Sequence, residues 1–116
     1  MARINYCVAK ISEAILEMAT STEGLQARLS KVMAKDMSSL HIEDFPLHLI
    51  PQFRYLQAVA AKDSAAGDER AVQTTIGKMS DDEARNLIEK IVALFDDVLE
   101  HYYREQFGRQ RDAPFE

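Results

Sequence analysis

The sequence predicts an all-α protein, a single-domain bundle of four to five helices with a long C-terminal helix. Three observations lead there. Only four Gly and three Pro interrupt 116 residues, too few for the many turns of a β architecture. Apolar residues recur at helical spacing along most of the chain. From Ser80 to Phe107 one uninterrupted amphipathic pattern covers nearly a quarter of the protein.

The first helix is expected over about Ala2 to Ala19. Ile4, Val8, Ile11, Ile15 and Met18 repeat with 4-3-4-3 spacing, the stripe of a helix packed along one seam. Cys7 and Ala14 flank that stripe, whereas Tyr6 and Leu16 fall outside it. Thr20 to Gly24 is polar, and Thr20 with Glu23 has the spacing of a capping box, so a second helix is expected to start there. Leu25, Leu29, Val32, Met33 and Met37 mark its inner side, with an end near Ser38.

Leu40 to Ile50 reads as a short helical turn or irregular segment, with Asp44 as a cap ahead of Pro46. Pro46 and Pro51 cannot both lie inside one straight helix, because each lacks the amide N–H and crowds the preceding turn. Pro51 instead suits the first turn of a third helix reaching about Lys62, with Phe53, Leu56, Val59 and Ala60 inward. Asp63 to Gly67 is the best internal loop. Asp68 is expected to cap a short helix carrying Ala71, Val72, Thr75 and Ile76 and ending near Gly77.

Ser80 and Glu83 form a Ser-x-x-Glu capping box, and Met79 and Ala84 occupy the staple positions around it. Asp81 and Asp82 add negative charge where the helix dipole favours it. The helix that follows places Ala84, Leu87, Ile88, Ile91, Val92, Leu94, Phe95, Val98, Leu99, Tyr102 and Tyr103 in an arc of roughly 180°, wider than a two-helix seam requires. Gly108 is the expected stop. Residues 1–107 therefore read as the helical bundle domain and 108–116 as a frayed C-terminal tail.

Composition narrows the function classes. The net charge of −5 is uneven: residues 1–80 hold nine acids and nine bases, while residues 81–107 hold eight acids against three bases. No cluster of Lys and Arg meets the demand of a phosphate backbone, so no nucleic-acid partner is expected. A helix-turn-helix over Ala71 to Leu87 fails for the same reason, since its second helix would present Asp81, Asp82 and Glu83 to phosphates. No apolar run has the roughly 18–20 residues of a membrane span, and no membrane partner is expected. The N-terminus lacks the apolar stretch of a signal peptide. A single cysteine cannot form an internal disulfide, so a cytoplasmic location is the expectation.

Candidate chemistry is sparse. Asp44 with His48, and Asp97 with His101, place an acid four residues before a histidine, a spacing that puts both groups on one helix face within reach of a metal ion. The competing reading is surface ion pairs or a polar border to the core. Glu13 and Glu17 form a carboxylate pair that fits a solvated face. Cys7 sits beside a stripe position and reads as a small core residue, and His41 as a loop residue. No nucleophile–base arrangement, glycine-rich phosphate loop or paired Cys-x-x-Cys is present, and no cofactor is implied.

The aromatic end of the last helix, Tyr102, Tyr103 and Phe107, is the more promising interaction surface, since its rings project at different angles. The expected function is thus a small non-catalytic protein–protein interaction or regulatory module, self-associating as a homodimer or binding a basic partner. The alternative is a metal-binding bundle, possibly an enzyme, using Asp97, His101, Asp44 and His48. A carrier of an apolar ligand is a third class, with no specific residue to recommend it.

Overall fold

The structure, a computed structural model, describes residues 2–61 and 69–111, excluding the side chains of 69–71 and 109–111. Five α-helices follow in order: α1 (Ile4–Thr20), α2 (Leu25–Ala34), α3 (Ile50–Ala60), α4 (Glu69–Gly77) and α5 (Asp81–Arg111). Three short 3-10 turns, Met37–Ser39, Ile42–Asp44 and Leu47–Leu49, fill the stretch between α2 and α3. Among the described residues there is no strand, and no helix is long and apolar enough to cross a membrane. The all-α bundle with a long final helix is therefore what the chain forms. At 1.5 Å per residue α5 is about 46 Å long, close to the longest dimension of the molecule, 53 Å.

The core is built around α5, which packs on α1, α2 and α3, while α4 packs chiefly on α2. Its centre comprises Ile11, Leu29, Val32, Leu40, Phe53, Leu56, Ile76, Ile91, Leu94 and Val98, all within 1% of complete burial. Phe45 and Phe53 stack at 4.4 Å between ring centroids, joining the irregular segment to α3.

The seam of α1 is rotated from its expected position. Its buried residues are Ile4, Cys7, Ile11, Ala14 and Met18, whereas Val8 and Ile15 are only partly buried. Both sets have helical spacing, so periodicity alone does not separate them. The neighbours do: small side chains at Cys7 and Ala14 face inward and leave room for the adjoining helices. Leu16 is 63% exposed, as its place outside the stripe implied.

The expected capping box at Thr20 and Glu23 does not form. Thr20 closes the last turn of α1, its hydroxyl donating to the Leu16 carbonyl at 2.9 Å, and α2 begins after Gly24 with no side-chain cap. Thr20 satisfied its own helix first, an alternative open to any threonine near a helix end. Helix α2 also ends four residues early, at Ala34. Beyond it the Ser38 hydroxyl donates to the carbonyls of Ala34 and Lys35, and that of Ser39 to Lys35. These bonds occupy the helix-terminal acceptors and favour a tighter turn.

Other boundaries agree with expectation. Pro51 lies in the first turn of α3. The Ser80 capping box is complete: the Ser80 N–H donates to Glu83 Oε1 at 2.9 Å, and the Glu83 N–H to Ser80 Oγ at 3.1 Å. Gln26 of α2 ties down the same corner, its amide donating to the Met79 carbonyl and Asp81 Oδ1, both at 2.9 Å. The loop expected at Asp63–Gly67 and the cap at Asp68 lie outside the described residues. At the other end Gly108 does not stop α5, which runs on to Arg111. A glycine costs a helix only about 1 kcal/mol relative to alanine and ends it when it takes the left-handed conformation, which Gly108 does not adopt.

Candidate functional site

Burial falls off in steps across the broad apolar arc of helix α5. Ala84, Leu87, Ile91, Leu94 and Val98 are buried and face the core. Ile88, Phe95 and Tyr102 pack against its edge. At about 100° per residue, Val92, Leu99, Tyr103 and Phe107 share an arc of about 80°, centred about 140° from the core stripe. Val92 is 39% exposed, Tyr103 53% and Phe107 42%, and Leu99 is half-buried. The outer stripe is therefore the exposed margin of the same arc, joined to the core stripe through Phe95 and Ile88 and interrupted by the exposed Asp96.

Val98 is the last buried residue of α5 among those described. The helix continues thirteen residues further, about 20 Å, as an arm whose first turn is still held to the bundle by Tyr102 against the edge of the core. Three rings line the arm. Tyr102 and Tyr103 meet edge to face at 5.3 Å, and Tyr103 stacks on Phe107 at 5.5 Å. The i,i+4 spacing of Tyr103 and Phe107 makes that stack. Arg104 pairs with Glu100 at 3.0 Å on the adjacent flank.

The structure divides the four residues of the metal alternative. Asp44 is buried and belongs to a node at the start of α1. Its Oδ1 accepts from Arg3 Nε at 2.8 Å and its Oδ2 from the His41 N–H at 2.9 Å. Its carbonyl accepts from the Arg3 N–H at 2.9 Å and from Cys7 Sγ at 3.2 Å. Burial alone would push the Asp44 carboxyl up, but Arg3 and the His41 N–H outweigh it and hold the group below the usual carboxylate range. His48 lies on a different 3-10 turn and is exposed, so Asp44 and His48 do not share a helix face. The expected pairing is corrected: Pro46 separates the two turns.

What the fold brings together instead is His48 and His101, with ring centroids 5.4 Å apart. His101 Nε2 also lies 3.1 Å from Glu105 Oε2. Asp97 accepts from Gln52 of α3 at 2.8 Å and so cross-braces α3 and α5. Among the described residues no group of three His, Cys, Asp or Glu side chains is placed to hold a metal ion.

The carboxylates of α1 also part company. Glu13 approaches Lys10 at 3.8 Å, and Glu17 approaches Lys35 at 3.7 Å. Glu17 adjoins a residue the sequence did not single out: Asp36, only 2% exposed, with Oδ2 lacking a hydrogen-bond partner. Burial pushes the Asp36 carboxyl up, reinforced by the neighbouring Glu17 carboxylate, with Lys35 opposing. Burial likewise pushes the Cys7 thiol up to about 12, aided by the charge of Asp44. Such a thiol is a packing group rather than a nucleophile. No protein-family model matches the chain, no curated protein matches it, and no solved structure matches its fold.

Proposed function

We propose that the protein is a self-associating interaction module, and that the outer stripe of α5 is its contact surface. The observation that supports this most directly is the stacked Tyr103–Phe107 pair, half-exposed on an arm beyond Val98. Aromatic rings held on a helix offer large contact area at low conformational cost. Two α5 arms side by side and antiparallel bring the aromatic end of one copy against Val92 of the other. The same arrangement carries Arg104 of one copy towards Asp96 of the other, an isologous contact in which each patch meets itself.

Light scattering coupled to size exclusion tests the proposal. The wild-type chain is expected to elute at twice its mass of 13.2 kDa, and the double variant Tyr103→Ser, Phe107→Ser as a monomer with an unchanged circular dichroism spectrum. A wild type that stays monomeric up to high micromolar concentration rejects self-association. It leaves the stripe for a different protein, where the acidic side of α5 would favour a basic partner surface.

The convergence of His48 and His101 supports a second reading, metal binding by these two imidazoles with water in the remaining positions. It predicts stoichiometric metal in protein purified without chelator, lost in His101→Ala with the fold retained. Metal-free protein whose stability is unmoved by added Zn²⁺ removes this reading.

A further inference from the structure

The flank of α5 that faces α3 and α4 carries two adjoining depressions. One, of about 480 Å³, is bordered by Lys78, Lys90 and Asn86 on its polar side and by Val59, Met79 and Leu87 on its apolar side. The other, of about 510 Å³, lies between Pro51, Gln52 and Ala93. Tyr55 and Lys90 border both, so the two form one trough with a cationic end and a more apolar end. Its size is that of a small-molecule site.

The charges of the trough are unusual for this chain. The net charge is −5, and most lysines elsewhere are beside a carboxylate: Lys10, Lys31 and Lys35 pair with Glu13, Glu23 and Glu17. Neither Lys78 nor Lys90 has an ion pair among the described residues; Lys90 Nζ instead lies 5.7 Å from the centre of the Tyr55 ring. The one acid on the border is Glu83, whose Oε1 accepts from the Ser80 N–H. Two ammonium groups against one carboxylate leave the border net positive, and beside an amide side chain and an apolar slot they match an anionic head on an apolar tail.

We infer that this trough binds a small aliphatic carboxylic acid, with its carboxylate at Lys78, Lys90 and Asn86 and its chain along Tyr55 towards Pro51 and Ala93. The inference uses no residue of the proposed dimer surface. Amide-resolved NMR titration of the full chain with sodium octanoate tests it, with octan-1-ol and acetate as probes lacking the charge or the tail. Octanoate is expected to shift signals of residues lining the trough and to bind at least tenfold more tightly than either control. The double variant Lys78→Gln, Lys90→Gln is expected to lose that advantage over octanol; both lysines are on the surface, and equal melting temperatures will establish that the fold is kept. Octanoate binding no tighter than octanol, shifts confined to another part of the protein, or full octanoate affinity in the lysine variant would each overturn the inference.

Discussion

Replacing Asp44 tests whether the irregular segment between α2 and α3 is fastened to α1 by one carboxylate. Asp44→Ala removes two hydrogen bonds from a residue that is 4% exposed, one to Arg3 and one to the His41 N–H. Hydrogen bonds to a charged group are each worth about 1.5–3 kcal/mol when buried. The Arg3 side chain is more than half exposed, so its bond belongs with the weaker, solvent-screened pairs. The carboxylate–amide bond carries most of the effect, and the expected loss is about 2 kcal/mol, or roughly 8 °C in melting temperature. Because the folded-state pKa of Asp44 is depressed, its stabilisation is fully present above the unfolded value of about 3.9 and disappears as pH falls through the folded value. Thermal and urea unfolding followed by circular dichroism, at neutral pH and again in acid, measures both quantities. The gap between wild type and variant should narrow in acid. A variant as stable as wild type at neutral pH, or a gap that persists undiminished when the Asp44 carboxyl is protonated, would refute the assignment.

Asp36 carries the opposite sign. Its folded-state pKa is raised, so ionising it costs stability, a cost absent below the unfolded value and fully present above the folded one. Asp36→Asn imitates the protonated side chain and is expected to stabilise the protein at neutral pH by about 1 kcal/mol, with no gain in acid; urea denaturation at the two pH values checks it. Cys7 is fully buried with its pKa pushed up to about 12. Native protein should therefore react with a thiol reagent more than roughly a hundredfold more slowly than the urea-unfolded chain, whose thiol has the ordinary pKa near 8.5. Rapid labelling of native protein would contradict the burial.

The features legible in the sequence were those decided within a few residues. Ser80 with Glu83, and Pro51 ahead of Phe53, specify helix starts through hydrogen bonds and φ angles that need no distant partner. The misplacements have two causes, a local ambiguity and distant partners. Thr20 had two local acceptor or donor geometries available and took the one inside its own helix. Val8 and Ile15 lost the centre of the α1 seam to Cys7 and Ala14 because the adjoining helices set which face turns inward. Asp44 gave no sequence signal for its partner, since Arg3 is forty-one positions away. Of the candidate contact surface, the three rings were visible from their spacing. The exposure of Tyr103 and Phe107 was not, because it depends on how far the packing of α5 reaches, with Val98 its last buried residue among those described and Tyr102 still against the core.

A helix that contacts neighbours on one side usually leaves the rest of its surface to water. Helix α5 departs from this in two directions. With the core stripe as reference, Val92, Leu99, Tyr103 and Phe107 centre about 140° away, while Asn86, Lys90 and Ala93 centre about 110° away in the opposite sense. The centres of the three residue sets thus divide the helix circumference nearly evenly: a buried aliphatic set, an exposed set with Tyr103 and Phe107, and a set with Lys90 beside the trough. Contact of two copies through the aromatic face leaves the lysine face turned aside and open. Self-association and acid binding should therefore be separable, with Tyr103→Ser, Phe107→Ser retaining octanoate affinity and Lys78→Gln, Lys90→Gln retaining the dimer. Loss of both properties in either double variant would mean that the faces communicate through the helix or that one surface serves both roles. That result would break the angular argument even if dimerisation and octanoate binding were each observed.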